Sequence, residues 1–122
     1  MAQQHFTIKD LEAMLAELIA DGDISDVLFA PFETPLVHRG DQAVKLSSPY
    51  LTKDQIYDLG KQLLDSKIIN IDDITSKQIS YKIEHVGRFR VNVVLGNDGY
   101  HIMFRLIPLE TRTFKSLIYL TN

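Results

Sequence analysis

Between Gly87 and Pro108 the sequence reads GRFRVNVVLGNDGYHIMFRLIP, two alternating runs joined by a turn signal. Phe89, Val91, Val93 and Leu95 share one parity, and Tyr100, Ile102, Phe104 and Leu106 form the matching apolar set after the turn. Successive strand side chains face opposite sides of a sheet, so each set covers one face. Gly96-Asn97-Asp98-Gly99 separates the runs and favours a tight hairpin. A loop of two or four residues places Val91 opposite Phe104 and Val93 opposite Ile102. A three-residue loop would turn one apolar set to solvent, a slip that a half-buried sheet resists.

The favoured register sets Arg90 directly opposite Arg105. Directly opposed side chains have Cβ atoms about 5 Å apart, where like charges are unfavourable. Two readings explain the pair. Both guanidinium groups extend into water and are screened there, or the pair clamps an anion, whose oxygens match the arginine fork. Upstream, Ile79, Tyr81 and Ile83 alternate, which predicts a preceding strand. An odd loop near His85-Val86-Gly87 brings Ile83 opposite Phe89 and Lys82 beside Arg90. Lys82, Arg90 and Arg105 then form a basic row across three strands, which raises the cost of the arrangement and strengthens the case for an anionic partner while leaving both readings open.

The rest of the chain supplies layers for this sheet. Thr7 caps a helix carrying Ile8, Leu11, Met14 or Leu15, Leu18 and Ile19, with Gly22 as its stop. Val27 to Ala30 has strand character, and Pro31 and Pro35 bracket a turn. Leu36 to His38 and Ala43 to Leu46 suit a small hairpin around Arg39-Gly40-Asp41-Gln42. Arg-Gly-Asp reads here as a turn, not an adhesion motif. Thr52-Lys53-Asp54-Gln55 is a capping box opening a second helix with Ile56, Leu59, Leu63 and Leu64. Residues 66–73 are ambiguous and suit a short helix. After Pro108 the chain turns polar, then shows Phe114, Leu117, Ile118 and Leu120, which reads as a linker toward a further domain.

At 122 residues the chain suits one domain with a real core. Its net charge of −3 argues against nucleic acid as the main partner. It has no cysteine, so thiol catalysis and cysteine-bound zinc are excluded and a cytosolic setting fits. No apolar run reaches membrane-spanning length, and MAQQHFTIKD has no signal-peptide core. The phosphate-binding loop Gly-x-x-x-x-Gly-Lys-Ser/Thr does not occur in these residues. Gly60-Lys61 falls inside the second helix and reads as helix surface, and Gly96 and Gly99 are turn glycines. His5, His38, His85 and His101 lack metal-ligand spacing. Asp72-Asp73 reads as a solvated turn, and Ser25-Asp26 as a cap or turn brace. Nothing pairs a nucleophile with a base, so this chain alone does not read as an enzyme.

With these residues in view, the chain resembles the N-terminal domain of the PilT-like ATPases (the PilT, DotB and GspE types) of type IV pilus retraction and type II or IV secretion. Gly87-Arg88-Phe89-Arg90-Val91-Asn92 and Phe104-Arg105-Leu106-Ile107-Pro108 match the family's GRFRVN-like and FRxIP-like strands. Ser25-Asp26, Gly40, Leu51-Thr52 and Thr113-Phe114 with Leu117 match more weakly. The chain has Asp98 where many members carry an arginine, and Leu28 where they often carry a histidine. The resemblance implies an α+β, PAS-like domain over residues 6–108, with about five to six antiparallel strands and two to three helices. Residues 109–122 become a linker toward an ATPase domain.

It also implies a cytoplasmic protein at the inner-membrane secretion machinery, built as a hexameric ring. Its partners would be its own ATPase domain, neighbouring subunits and platform proteins, with no membrane insertion. ATP with Mg would sit mainly on the ATPase domain. Arg90, Arg105 and, less closely matched, Arg88 would reach its phosphates. The alternative is a stand-alone PAS-like ligand-binding or adaptor domain.

Overall fold

Two helices start by the same device. In a computed structural model, which describes residues 6–22 and 24–108, α1 (Ile8–Ala20) begins at Thr7. The Thr7 hydroxyl accepts the Asp10 backbone N–H at 3.2 Å, and the Asp10 carboxylate accepts the Thr7 N–H at 3.0 Å. Thr52 and Gln55 repeat the exchange at 3.3 and 2.8 Å for α2 (Lys53–Asp65). Each pair satisfies two backbone donors that a helix start leaves open.

The helices stop differently. After α1, Gly22 takes φ +102°, a conformation that glycine adopts without penalty. Its carbonyl accepts Arg39 Nη1 at 3.0 Å, so the arginine of the Arg-Gly-Asp turn holds the end of a helix. After α2, the N–H of Ile69 bonds the carbonyl of Leu64 at 3.0 Å, and that of Ile68 bonds Asp65 at 2.9 Å. This closure puts Ile68 at φ +60° with 96% of its surface exposed. A β-branched residue there is strained by about 1–2 kcal/mol and loses nothing by truncation, since it packs on nothing. Ile68→Gly is therefore expected to stabilise the chain by about 1 kcal/mol, after allowing for glycine's looser unfolded state. A higher urea midpoint at unchanged slope checks this.

Six antiparallel strands form one sheet in the order β3-β2-β1-β6-β5-β4. They are β1 (Ile24–Phe29), β2 (Leu36–Arg39), β3 (Gln42–Lys45), β4 (Ser76–Ile83), β5 (Gly87–Gly96) and β6 (Gly99–Ile107). Both helices cover one face, as expected for a PAS-like α+β domain. Leu11, Leu15 and Leu18 of α1 and Ile56, Leu59, Leu63 and Leu64 of α2 join Val27, Phe29, Phe89, Val91, Val93, Ile102 and Phe104 in a single core. Phe104 is its centre, edge-on to Phe29 at 5.7 Å and to Phe89 at 6.0 Å.

The β5–β6 hairpin has the expected register, with a two-residue turn at Asn97-Asp98. Gly99, at φ +126°, takes up the turn's twist and lies against Lys53 and Pro31, where a Cβ would come within 3.0 and 3.2 Å. Three sequence expectations are corrected. Leu95 is 45% exposed although its parity is apolar. Gly60 is not helix surface: it is buried, and a Cβ there would meet Ile71, Ile102 and Val93 at 3.1 to 3.6 Å, so it lets α2 approach the sheet. Ile83 pairs with Gly87, and Tyr81 is the residue opposite Phe89. Asp72 and Asp73 are exposed in a short 3-10 turn (Ile71–Asp73), as their sequence suggests, and Asp72 also accepts the Tyr57 hydroxyl at 2.9 Å, which raises the phenol's pKa. The region proposed as a linker, 109–122, and His5 lie outside the described residues.

Candidate anion site on the open face of the sheet

The face opposite the helices carries the side chains of the other parity, and no helix lies on it among the described residues. Arg90 of β5 and Arg105 of β6 are directly opposed there, both exposed. The expected third member of the row is not Lys82. Ser80 stands beside Arg90, and Lys82 pairs with Arg88 instead. The physical reason is the turn. It has three residues, with His85 at φ +65°, where an apolar match of Ile83 with Phe89 would need five. Both lengths keep Ile83 on the core side, so burial does not choose between them.

The row continues in the other direction instead. Asp26 of β1 stands opposite Arg105, and His38 of β2 stands opposite Asp26. Four adjacent strands thus present His38, Asp26, Arg105 and Arg90 in line. Asp26 is not a cap or turn brace as its sequence context suggests. A bulge between Ile24 and Asp26 shifts the β1–β2 register at Ser25 and sets Asp26 on the open face; bulges re-aim side chains in this way. The Asp26 carboxylate accepts Arg105 Nε at 2.9 Å and Nη2 at 3.5 Å. That bond, then its charge, raises Arg105 above the usual guanidinium range.

One acid therefore offsets one of two facing arginines. The Asp26 side chain is 15% exposed and Arg105 56%. Arg90 forms no ion pair or hydrogen bond among the described residues and lines a hollow of about 230 Å³ with Gln78, Ile79, Ser80 and Ile107. Arg88, the less closely matched candidate, is set apart. It lines a separate hollow of about 480 Å³ at the β4–β5 turn with Lys82 and His85. Lys82 leans toward Glu84, 3.9 Å away. The arrangement holds an uncompensated cation at Arg90, a braced one at Arg105 and open space above both. Such a surface can bind the oxygens of a phosphate or carboxylate presented from outside.

No group of three or more histidine or acid side chains suits a metal among the described residues. No described helix is long and apolar enough to cross a membrane. At the β5–β6 turn, His101 Nε2 bonds Asp98 Oδ1 at 2.8 Å and holds the Asp98 carboxyl below its ordinary range.

No protein-family model matches the sequence, and no curated protein matches it. Solved structures do match its fold. The pilus retraction motor PilT, solved with bound ADP, aligns at a TM-score of 0.63 and 23% identity, over 82% of this chain and 29% of that one. The ATPase DotB of Legionella pneumophila aligns at 0.60 and 22%, over 88% of this chain and 31% of the other. DotB of Yersinia pseudotuberculosis aligns at 0.53 and 19%, with the same coverage. The chain thus has a fold found in the pilus retraction motor PilT and the ATPase DotB and spans less than a third of their length.

Proposed function

We propose that this chain is the N-terminal domain of a ring-forming ATPase that powers pilus retraction or secretion. Its open sheet face meets the nucleotide of a motor domain, and Arg90 contacts the phosphates with Arg105 beside it. The observation that carries this reading is the directly opposed arginine pair with one internal counter-ion. An arrangement that is unfavourable in the isolated domain becomes favourable when a polyphosphate supplies the missing negative charge. The fold shared with PilT and DotB supports it.

In this assembly ATP and Mg are held by the motor domain, which binds the nucleotide and performs the hydrolysis. Residues of this chain do not form the phosphate loop. They orient the phosphate oxygens and stabilise charge that develops on the transferring phosphoryl group. Neighbouring subunits of a hexamer and the platform proteins of the pilus or secretion machinery are the remaining partners, with the ring at the cytoplasmic side of the inner membrane. The alternative of a stand-alone ligand sensor requires an internal cavity. The space under this sheet is filled by Phe29, Phe89 and Phe104 in edge-to-face contact. The test is ATP turnover by the full-length parent, unaltered and with Arg90→Ala or Arg105→Ala, each checked for folding.

A further inference from the structure

The row of charged residues contains one unsatisfied atom. His38 Nδ1 is buried with no hydrogen-bond partner, and Asp26 Oδ2 lies 3.9 Å from it. This is the same oxygen that receives the longer of the two Arg105 contacts, at 3.5 Å. A small side-chain rotation would bring Nδ1 and Oδ2 to hydrogen-bond distance, about 2.8 Å, at the expense of that contact.

We propose that Arg105 and His38 contest the Asp26 carboxylate, so that protonation of His38 loosens Arg105 and makes it available to an anion at Arg90. Asp26 is then a positioning residue: it sets where the Arg105 guanidinium points and when it is free. The functional meaning rests on the nucleotide reading above, but the contest itself does not.

The surroundings of His38 leave Asp26 as the one acid facing it among the described residues. On β3 its neighbour is Ala43, which carries no charge. Lys45, further along that strand, is paired with Glu33. Arg39 is turned to the Gly22 carbonyl and lies 3.9 Å from Asp21. The Ser25 hydroxyl donates to the His38 carbonyl at 3.4 Å and leaves the ring alone. On the far side of Asp26 stand Arg105 and then Arg90.

The sign follows from charge. Protonated His38 gains Asp26 as a partner, so the loosened state grows as the ring takes up a proton. By linkage, an anion that draws Arg105 away leaves Asp26 to His38 and favours its protonation. Direct repulsion between His38 and Arg90 is minor, because three strand spacings of about 4.8 Å exceed the screening length of about 8–10 Å.

The test follows the His38 ring by nitrogen-correlated NMR across pH in the 122-residue chain, without nucleotide. Arg105→Met is expected to raise the proton affinity of His38 by about tenfold. In an Asp26→Asn background that rise should vanish. An equal rise in both backgrounds would overturn the proposal, as would no rise in either. Should the Asp26→Asn variant not fold, the Arg105 Nε–H resonance serves instead. It should move with the histidine titration in the unaltered chain and stay in place in His38→Gln; equal movement in both overturns the proposal. Coupling of the three residues in a chain whose parent tolerates Arg90→Ala would overturn the nucleotide reading alone.

Discussion

If the proposed function holds, Arg90→Ala in the full-length parent is expected to lower kcat for ATP hydrolysis by at least about a hundredfold, since loss of an arginine that stabilises a transferring phosphoryl group costs about a thousandfold or more. The prediction is clean because Arg90 does so little for its own domain. It is exposed and has no internal partner among the described residues, so the domain's stability should change by less than about 0.5 kcal/mol. Arg105→Ala is less clean. It strips a mostly buried carboxylate of its counter-ion and should lower stability measurably, though solvent screening of the exposed arginine keeps the loss small. Its turnover must therefore be read beside a melting curve. Normal turnover by Arg90→Ala would mean that the pair is a solvated face and the proposed function is wrong.

Phe104→Ala should destabilise the chain by about 4 kcal/mol. The residue is 1% exposed and lies edge-on to two other buried phenylalanine rings. Removing it leaves a cavity at the junction of β1, β5 and β6 that no neighbour can fill by rotation alone. For a domain of this size the melting temperature should fall by on the order of 20 °C. Because whole-domain stabilities are about 5–15 kcal/mol, the variant would be close to unfolding. Denaturant titration measures the loss. A cost below about 2 kcal/mol would show that the core is not organised around this ring. Leu95→Ala, at a similarly apolar but 45% exposed position, is the natural control and should cost far less.

What is legible in the sequence follows from period and parity. Two alternating runs around Asn97-Asp98 admit few registers that bury Phe89, Val91, Ile102 and Phe104 together, so the opposition of Arg90 and Arg105 can be read directly. The helix starts at Thr7 and Thr52 are equally plain, since capping is local chemistry. The misplacement of Lys82 shows where parity stops. A shift of two residues keeps every side chain on its own face, and only the turn's backbone separates Ser80 from Lys82 as the neighbour of Arg90. The role of Asp26 is hidden for another reason. Its partner is 79 residues away, and the bulge that aims it has no signature in Ser25-Asp26. In the sequence Ser25-Asp26 stands out for its family likeness and not for the ion pair it supplies.

The placement of β1 also bears on how the chain folds. β4, β5 and β6 follow one another through short turns, whereas β1 reaches β6 only after most of the sequence has been made. Closing so long a loop costs entropy before its contacts repay it. The meander should therefore form early and the two halves of the sheet join late. Conservative truncation of Val91 would then slow refolding, while truncation of Val27 would mainly speed unfolding. The ion pair between Asp26 and Arg105 spans that late seam. The charge pattern of the open face would thus be completed only when the fold itself is complete, and a partly folded chain would present two bare arginines.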